Sequence, residues 1–131
     1  MRYTTHMKQG ILEMKLLLNS QRQLMRDNSG HNQRMARNGK DSIDYMPVLK
    51  LFTPWGRCTW LLTEIDADGD TMFGLCDLGQ GCPELGYVSL AELQSLRGPM
   101  GLTVERDMHF VADKSLAAYA REAQTARRIA A

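Results

Sequence analysis

Two apolar segments, 59–65 and 71–78, flank the run Asp66-Ala67-Asp68-Gly69-Asp70, and this arrangement constrains the fold more than any other part of the chain. An Asp-Gly pair between strand-forming segments is a strong hairpin signal, because a tight turn needs positive φ where Asp and Gly are tolerated. A two-residue loop at Asp68-Gly69 sets Leu62 opposite Leu75, Leu61 opposite Cys76 and Ile65 opposite Met72. All three facing pairs are apolar, which supports that register. A longer loop that uses all three aspartates is the alternative, and it would shift the register.

The rest of the chain arranges itself around this hairpin. Its 131 residues suit one domain. Residues 1–13 read as an N-terminal extension and 14–131 as a single α+β domain. Asn19 or Ser20 can cap a helix over 21–27, which Asn28-Ser29-Gly30 ends. Residues 28–44, rich in Asn, Gly, Ser, Arg and Lys, read as a flexible loop. A strand follows over 48–52, then a turn at Thr53-Pro54-Trp55-Gly56, and a short fourth strand over 85–88. Ser89 and Glu92 match a capping box that opens a short helix, which Gly98-Pro99 stops. Leu102, Val104, Met108 and Phe110 alternate with polar residues as in a half-buried strand, interrupted by Arg106. Ser115 caps an Ala-rich helix to about residue 129. The expected fold is a small, mainly antiparallel sheet with a central β-hairpin, a short capped helix, and N- and C-terminal helices.

Charge is segregated along this frame. Residues 1–57 carry +6, residues 58–96 carry seven acids and no Lys or Arg, and residues 97–131 carry +2. The acidic stretch either neutralises the basic segments within the domain or presents a surface to a basic partner. No apolar run is long enough for a bilayer, no secretory signal is expected, and three cysteines without dense spacing fit a reducing cytosol.

Several chemistries can be weighed against the residues. Asp66, Asp68 and Asp70 fall at positions 1, 3 and 5 of a calcium-loop spacing, but Thr71 replaces the required Gly and the flanks read as strands. Cys58, Cys76 and Cys82 lack zinc-site spacing. No phosphate-loop or nucleophile-elbow motif occurs. Glu105, Asp107 and His109 share one face of the strand over 102–110, with Arg106 beside them, and could supply metal ligands or an acid–base pair. Arg22, Arg26, Arg34, Arg37 and Lys40 form a basic arm capable of weak, sequence-independent phosphate contact. Trp55, Trp60, Tyr87 and Phe110 are core candidates, although Trp55, in its tight turn, could instead anchor a partner.

The blocks 48–54, Thr59-Trp60, 68–75, 84–93, Arg97-Gly98-Pro99, Gly101-Leu102, 104–107 and His109-Phe110 resemble a bacterial family of small proteins known as a domain of unknown function. The resemblance runs from Met14 to the C-terminal helix. It implies an accessory protein of conjugative plasmids and integrated mobile elements, and it supplies no catalytic residues. The chain is therefore expected to be a cytoplasmic, non-enzymatic interaction protein that binds a host or defence protein. The surface expected to bind comprises Trp55, Glu64, Asp66, Asp68 and Asp70, with no cofactor or metal. Two alternatives stand beside it: a metal-dependent hydrolase-type enzyme using Glu105, Asp107 and His109, and a weak nucleic-acid-associated adaptor.

Overall fold

The helix expected to stop at Asn28 continues without a break. In the computed structural model, which describes residues 16–131, α1 runs Asn19–Arg37. The expected loop over 28–44 is thus helical through Arg37, and the proposed extension 1–13 lies outside the described residues. Neither Asn19 nor Ser20 caps the helix. Leu18 holds the cap position, and its amide donates to Gln21 Oε1 at 2.8 Å. The buried face of α1 has helical spacing but only one apolar member: Met25, Asn28, Ser29 and Asn32. The three polar side chains are satisfied by hydrogen bonds, as burial requires. Asn28 Nδ2 donates to the Thr63 carbonyl (3.0 Å), Ser29 Oγ to Asp66 Oδ1 (3.0 Å), and Asn32 exchanges two bonds with the backbone of Ile43 (2.8 and 3.2 Å).

After α1 come β1 (Leu49–Phe52), β2 (Thr59–Ile65), β3 (Thr71–Asp77), β4 (Glu84–Ser89), α2 (Leu90–Ser95), a 3₁₀ turn (Pro99–Gly101), β5 (Glu105–Arg106) and α3 (Leu116–Ala126). The strands form one antiparallel sheet in the order β4-β3-β2-β1-β5. The protein is α+β, with the hairpin β2–β3 inside the sheet, as its sequence implies. Among the described residues, no helix is long and apolar enough to cross a membrane.

The hairpin register departs from expectation at one residue. Ile65 faces Met72 and Glu64 faces Phe73, but then the ladder slips at Thr63, so that Leu62 faces Gly74, Leu61 faces Leu75 and Trp60 faces Cys76. This is a β-bulge, which adds one residue to one strand and reverses its inside-outside alternation beyond that point. Because of it, Ile65 joins Trp60 and Leu62 in the core packed under α1 and α2, with Leu49, Leu51, Met72, Leu90 and Leu93. Leu61 and Leu75 instead meet Leu116, Tyr119, Ala120, Ala123 and Ile129, the core under α3. The loop itself spans Asp66 to Thr71. The Asp66 amide donates to the Thr71 carbonyl (2.8 Å), and the Gly69 amide to that of Asp66 (3.0 Å). Gly69 takes φ +71°.

Two other expectations change. The strand over 102–110 pairs only at Glu105 and Arg106, opposite Phe52 and Leu51, after which the chain turns. Val104 is buried, while Leu102 and Met108 are exposed. The last helix ends at Ala126, and Arg127 follows in the left-handed region with φ 60°. Ser115 does cap that helix, and Ser89 caps α2.

Close approach at the bulge makes Gly74 obligatory. A Cβ there would lie 2.0 Å from the Leu61 carbonyl oxygen and 2.8 Å from Leu62 Cα. Gly74→Ala is expected to destabilise the protein by about 3 kcal/mol. Gly86→Ala, at the facing position on β4 where a Cβ meets nothing within 4 Å, is expected to change stability by less than about 1 kcal/mol. Urea midpoints of the two variants check the contrast.

Candidate functional site

The aspartates at the hairpin tip all lie on one turn, and each has a task inside the molecule. Asp68 Oδ1 accepts from the amides of Asp70 (2.8 Å) and Thr71 (2.9 Å), and its Oδ2 accepts from Thr71 Oγ1 (2.6 Å). The Thr71 hydroxyl and these amides hold its carboxyl below the usual carboxylate range. Asp70 reaches the start of α2. It accepts from Ser89 Oγ (2.7 Å) and the Ala91 amide (2.8 Å) through its side chain, and from the Leu90 amide through its carbonyl (2.9 Å). Asp66 takes the Ser29 hydroxyl. From α1, Arg22 donates to the Gly69 carbonyl (3.1 Å), and the Arg26 charge acts on Asp68. The tip is therefore a latch between hairpin, α1 and α2.

Glu64 differs. It stands opposite Phe73 and lines a groove of about 320 Å³ with Ile43, Asp44, Tyr45, Phe73, Leu85 and Tyr87. Burial pushes its carboxyl up, against hydrogen bonds from Asn32 and Thr63 that pull it down. Burial and then the Glu64 charge raise the Tyr45 hydroxyl. Tyr87, expected in the core, is 69% exposed and Leu85 49%. The Tyr87 ring is tilted over Phe73 with centroids 5.1 Å apart. β4 is the outer strand on this side of the sheet. Aromatic and apolar side chains at a sheet edge beside a half-buried acid form a surface suited to an apolar segment carrying a cation. The Glu64–Phe73 pair keeps the register that the Asp-Gly turn sets, whereas the groove beside it depends on the fold around β4.

The other candidates are scattered. Trp55 precedes β2 while the aspartates follow it, which puts them at opposite ends of a strand about 20 Å long. Its ring packs against the core under α1, so close to Gly98 that a Cβ there would be 2.2 Å away. Asp107 and His109 share a cavity with Lys50, but Glu105 does not line it. Asp107 is bound to Lys50 Nζ (3.3 Å) and accepts the His109 amide (2.9 Å). That amide, ahead of Lys50, holds its carboxyl down. The expected shared strand face does not form, because pairing stops at Arg106. Among the described residues, no three His, Cys, Asp or Glu side chains converge as metal ligands. Cys58, Cys76 and Cys82 are free thiols, and burial pushes Cys76 up to about 11. Arg22, Arg26, Arg34 and Arg37 fall within about a third of the circumference of α1, with Lys40 beyond its end. Arg22 and Arg26 already serve the tip.

Two outcomes follow. Asp70→Ala removes hydrogen bonds at the start of α2 and is expected to cost about 1–2 kcal/mol, read from thermal unfolding. For Glu64, the native state retains a proton above the ordinary value of 4.5. Between that value and the raised folded one, the native state binds more protons than the unfolded chain, so stability falls as pH rises through this window. Glu64→Gln removes that dependence. Its urea midpoint should match wild type near about pH 4 and exceed it near about pH 7.

No curated protein and no solved structure matches the chain. Residues 16–130 match the family described as "Protein of unknown function (DUF2958)", a span that covers every strand and helix set out above. The chain belongs to the DUF2958 family.

Proposed function

We propose that this chain is a non-enzymatic accessory protein of a mobile genetic element, acting in the cytosol by binding a host or defence protein. The observation that carries the reading is the groove at the β4 edge. There Leu85 and Tyr87 are exposed beside half-buried Glu64. The binding surface is this groove with the outer rim of the hairpin, Asp66 and Asp68. Trp55 is not part of it. The resemblance to proteins of conjugative plasmids supports the setting. The partner segment pairs with or lies along β4, seats an apolar side chain against Phe73 and Tyr87, and brings a Lys or Arg to Glu64.

The hydrolase alternative loses support because Asp107 is engaged by Lys50 and by the backbone of the turn, and Glu105 sits elsewhere. A partner recovered from host extract and then purified is expected to bind wild type. Tyr87→Ala and Glu64→Gln should each weaken that binding about tenfold or more without lowering the melting temperature. Binding that is indifferent to both substitutions, or that tracks Asp107→Asn instead, overturns the reading.

A further inference from the structure

We propose that a basic cleft at the end of the sheet remote from the hairpin tip binds the phosphate chain of a small oligophosphate, such as a nucleoside triphosphate. The cleft encloses about 540 Å³ and is lined by Arg57, Arg127, Arg128, Thr59 and Asp77, with Gly79 and Gly81 in the β3–β4 connection. That volume suits a nucleotide-sized ligand.

The arginines are placed by independent parts of the fold. Arg57 comes from the turn before β2. It packs so closely on Gly79, φ +77°, that a Cβ there would lie 2.9 Å from Arg57 Cβ. Arg127 and Arg128 follow α3, and the next residue pins them. The Ile129 side chain is buried in the core under α3, and its amide donates to Asp77 Oδ2 at 2.9 Å. Asp77 Oδ1 accepts the Gly79 amide, also at 2.9 Å. Asp77 is 2% exposed, so the one acid that lines the cleft among the described residues is turned into the backbone and ties its two walls together. Among the described residues, none of the three guanidinium groups forms an ion pair with a carboxylate. Glu84 stands on β4 opposite Cys76 and does not line the cleft.

Charge decides the ligand class. Three guanidinium groups outweigh one carboxylate and the negative end of α3, worth about half a charge. A net of roughly +1.5 remains facing the cavity. Guanidinium forks match phosphate oxygens in pairs, and the Thr59 hydroxyl adds a donor. Among the described residues no aromatic ring lines the cleft, so none of them stacks on a base. Recognition falls on the phosphates, and the base is not distinguished.

Arg127 offers a clean test. It is a non-glycine residue at φ 60° in the position after a helix where glycine is favoured. Arg127→Gly therefore removes a guanidinium while easing the backbone. Calorimetric titration of the full chain with tripolyphosphate, ATP and GTP is expected to show saturable binding, with the two nucleotides equal within about threefold and all three weaker at higher salt. R127G should bind about tenfold more weakly with a melting temperature no lower than wild type. R57Q, at the opposite wall, should weaken binding similarly. Absence of saturable binding by tripolyphosphate and both nucleotides overturns the proposal, as does unchanged affinity in both variants. A single-stranded oligonucleotide of about 12 nucleotides that outcompetes tripolyphosphate at equal phosphate concentration would assign the cleft to a nucleic-acid backbone and also overturn it.

Discussion

The rest of the structure depends on one extra residue at Thr63. A bulge there breaks the ladder between β2 and β3, and its consequences are met on both sides. Gly74 supplies the space for the displaced backbone, and Asn28 of α1 donates to the Thr63 carbonyl. Thr63 itself is 1% exposed. Without the bulge, Ile65 would point with Leu61 toward α3, and the core under α1 would lose a buried member. With it, Ile65, Leu62 and Trp60 share the face packed under α1 and α2. A local irregularity thus sets the composition of two cores.

The same contact explains why α1 was hard to read. Sequence reasoning finds helices by apolar periodicity, and α1 buries Asn28, Ser29 and Asn32 at the positions where apolar residues are sought. Such a face is stable only when its partners exist, and those partners are the Thr63 and Ile43 backbone and the Asp66 carboxylate, distant in sequence. Composition alone therefore reads residues 28–44 as loop, although they are helical through Arg37. Features that rest on local chemistry were legible: the hairpin, the Ser89 and Ser115 caps, and the turn at Thr53. There the Gly56 amide donates to the Thr53 carbonyl at 3.2 Å.

Site residues divide along the same line. That Asp66, Asp68 and Asp70 share one turn follows from their spacing. That the turn latches onto Ser29 and Ser89 does not, because those bonds join α1 and the start of α2 to the loop. Tyr87 read as core because it is aromatic and sits in a strand. Its exposure comes from the outer position of β4, a matter of sheet order. The Glu105, Asp107 and His109 face was inferred from alternation, which the turn after Arg106 interrupts. In each case the error lies where tertiary pairing overrides a period.

Segregated charge takes on a different meaning once the chain is folded. The stretch 58–96 is the acidic part of the sequence, yet at the hairpin tip its carboxylates meet amides and hydroxyls, Arg22 of α1 donates to the Gly69 carbonyl, and the Arg26 charge acts on Asp68. These bonds fix the orientation of the carboxylates and tie the tip to α1 and α2. At the other end of β2 and β3, Asp77 is buried against two amides, and three arginines from segments far apart in sequence surround it. Formal charge along the chain points to an acidic surface at the hairpin tip, whereas Arg57, Arg127 and Arg128 gather about 20 Å away, at the opposite end of the strands. Long-range attraction follows unbalanced charge rather than the count of charged residues. The cleft between Arg57 and Arg127 thus gathers positive charge from two distant segments, and the β4 groove depends on close packing around Glu64.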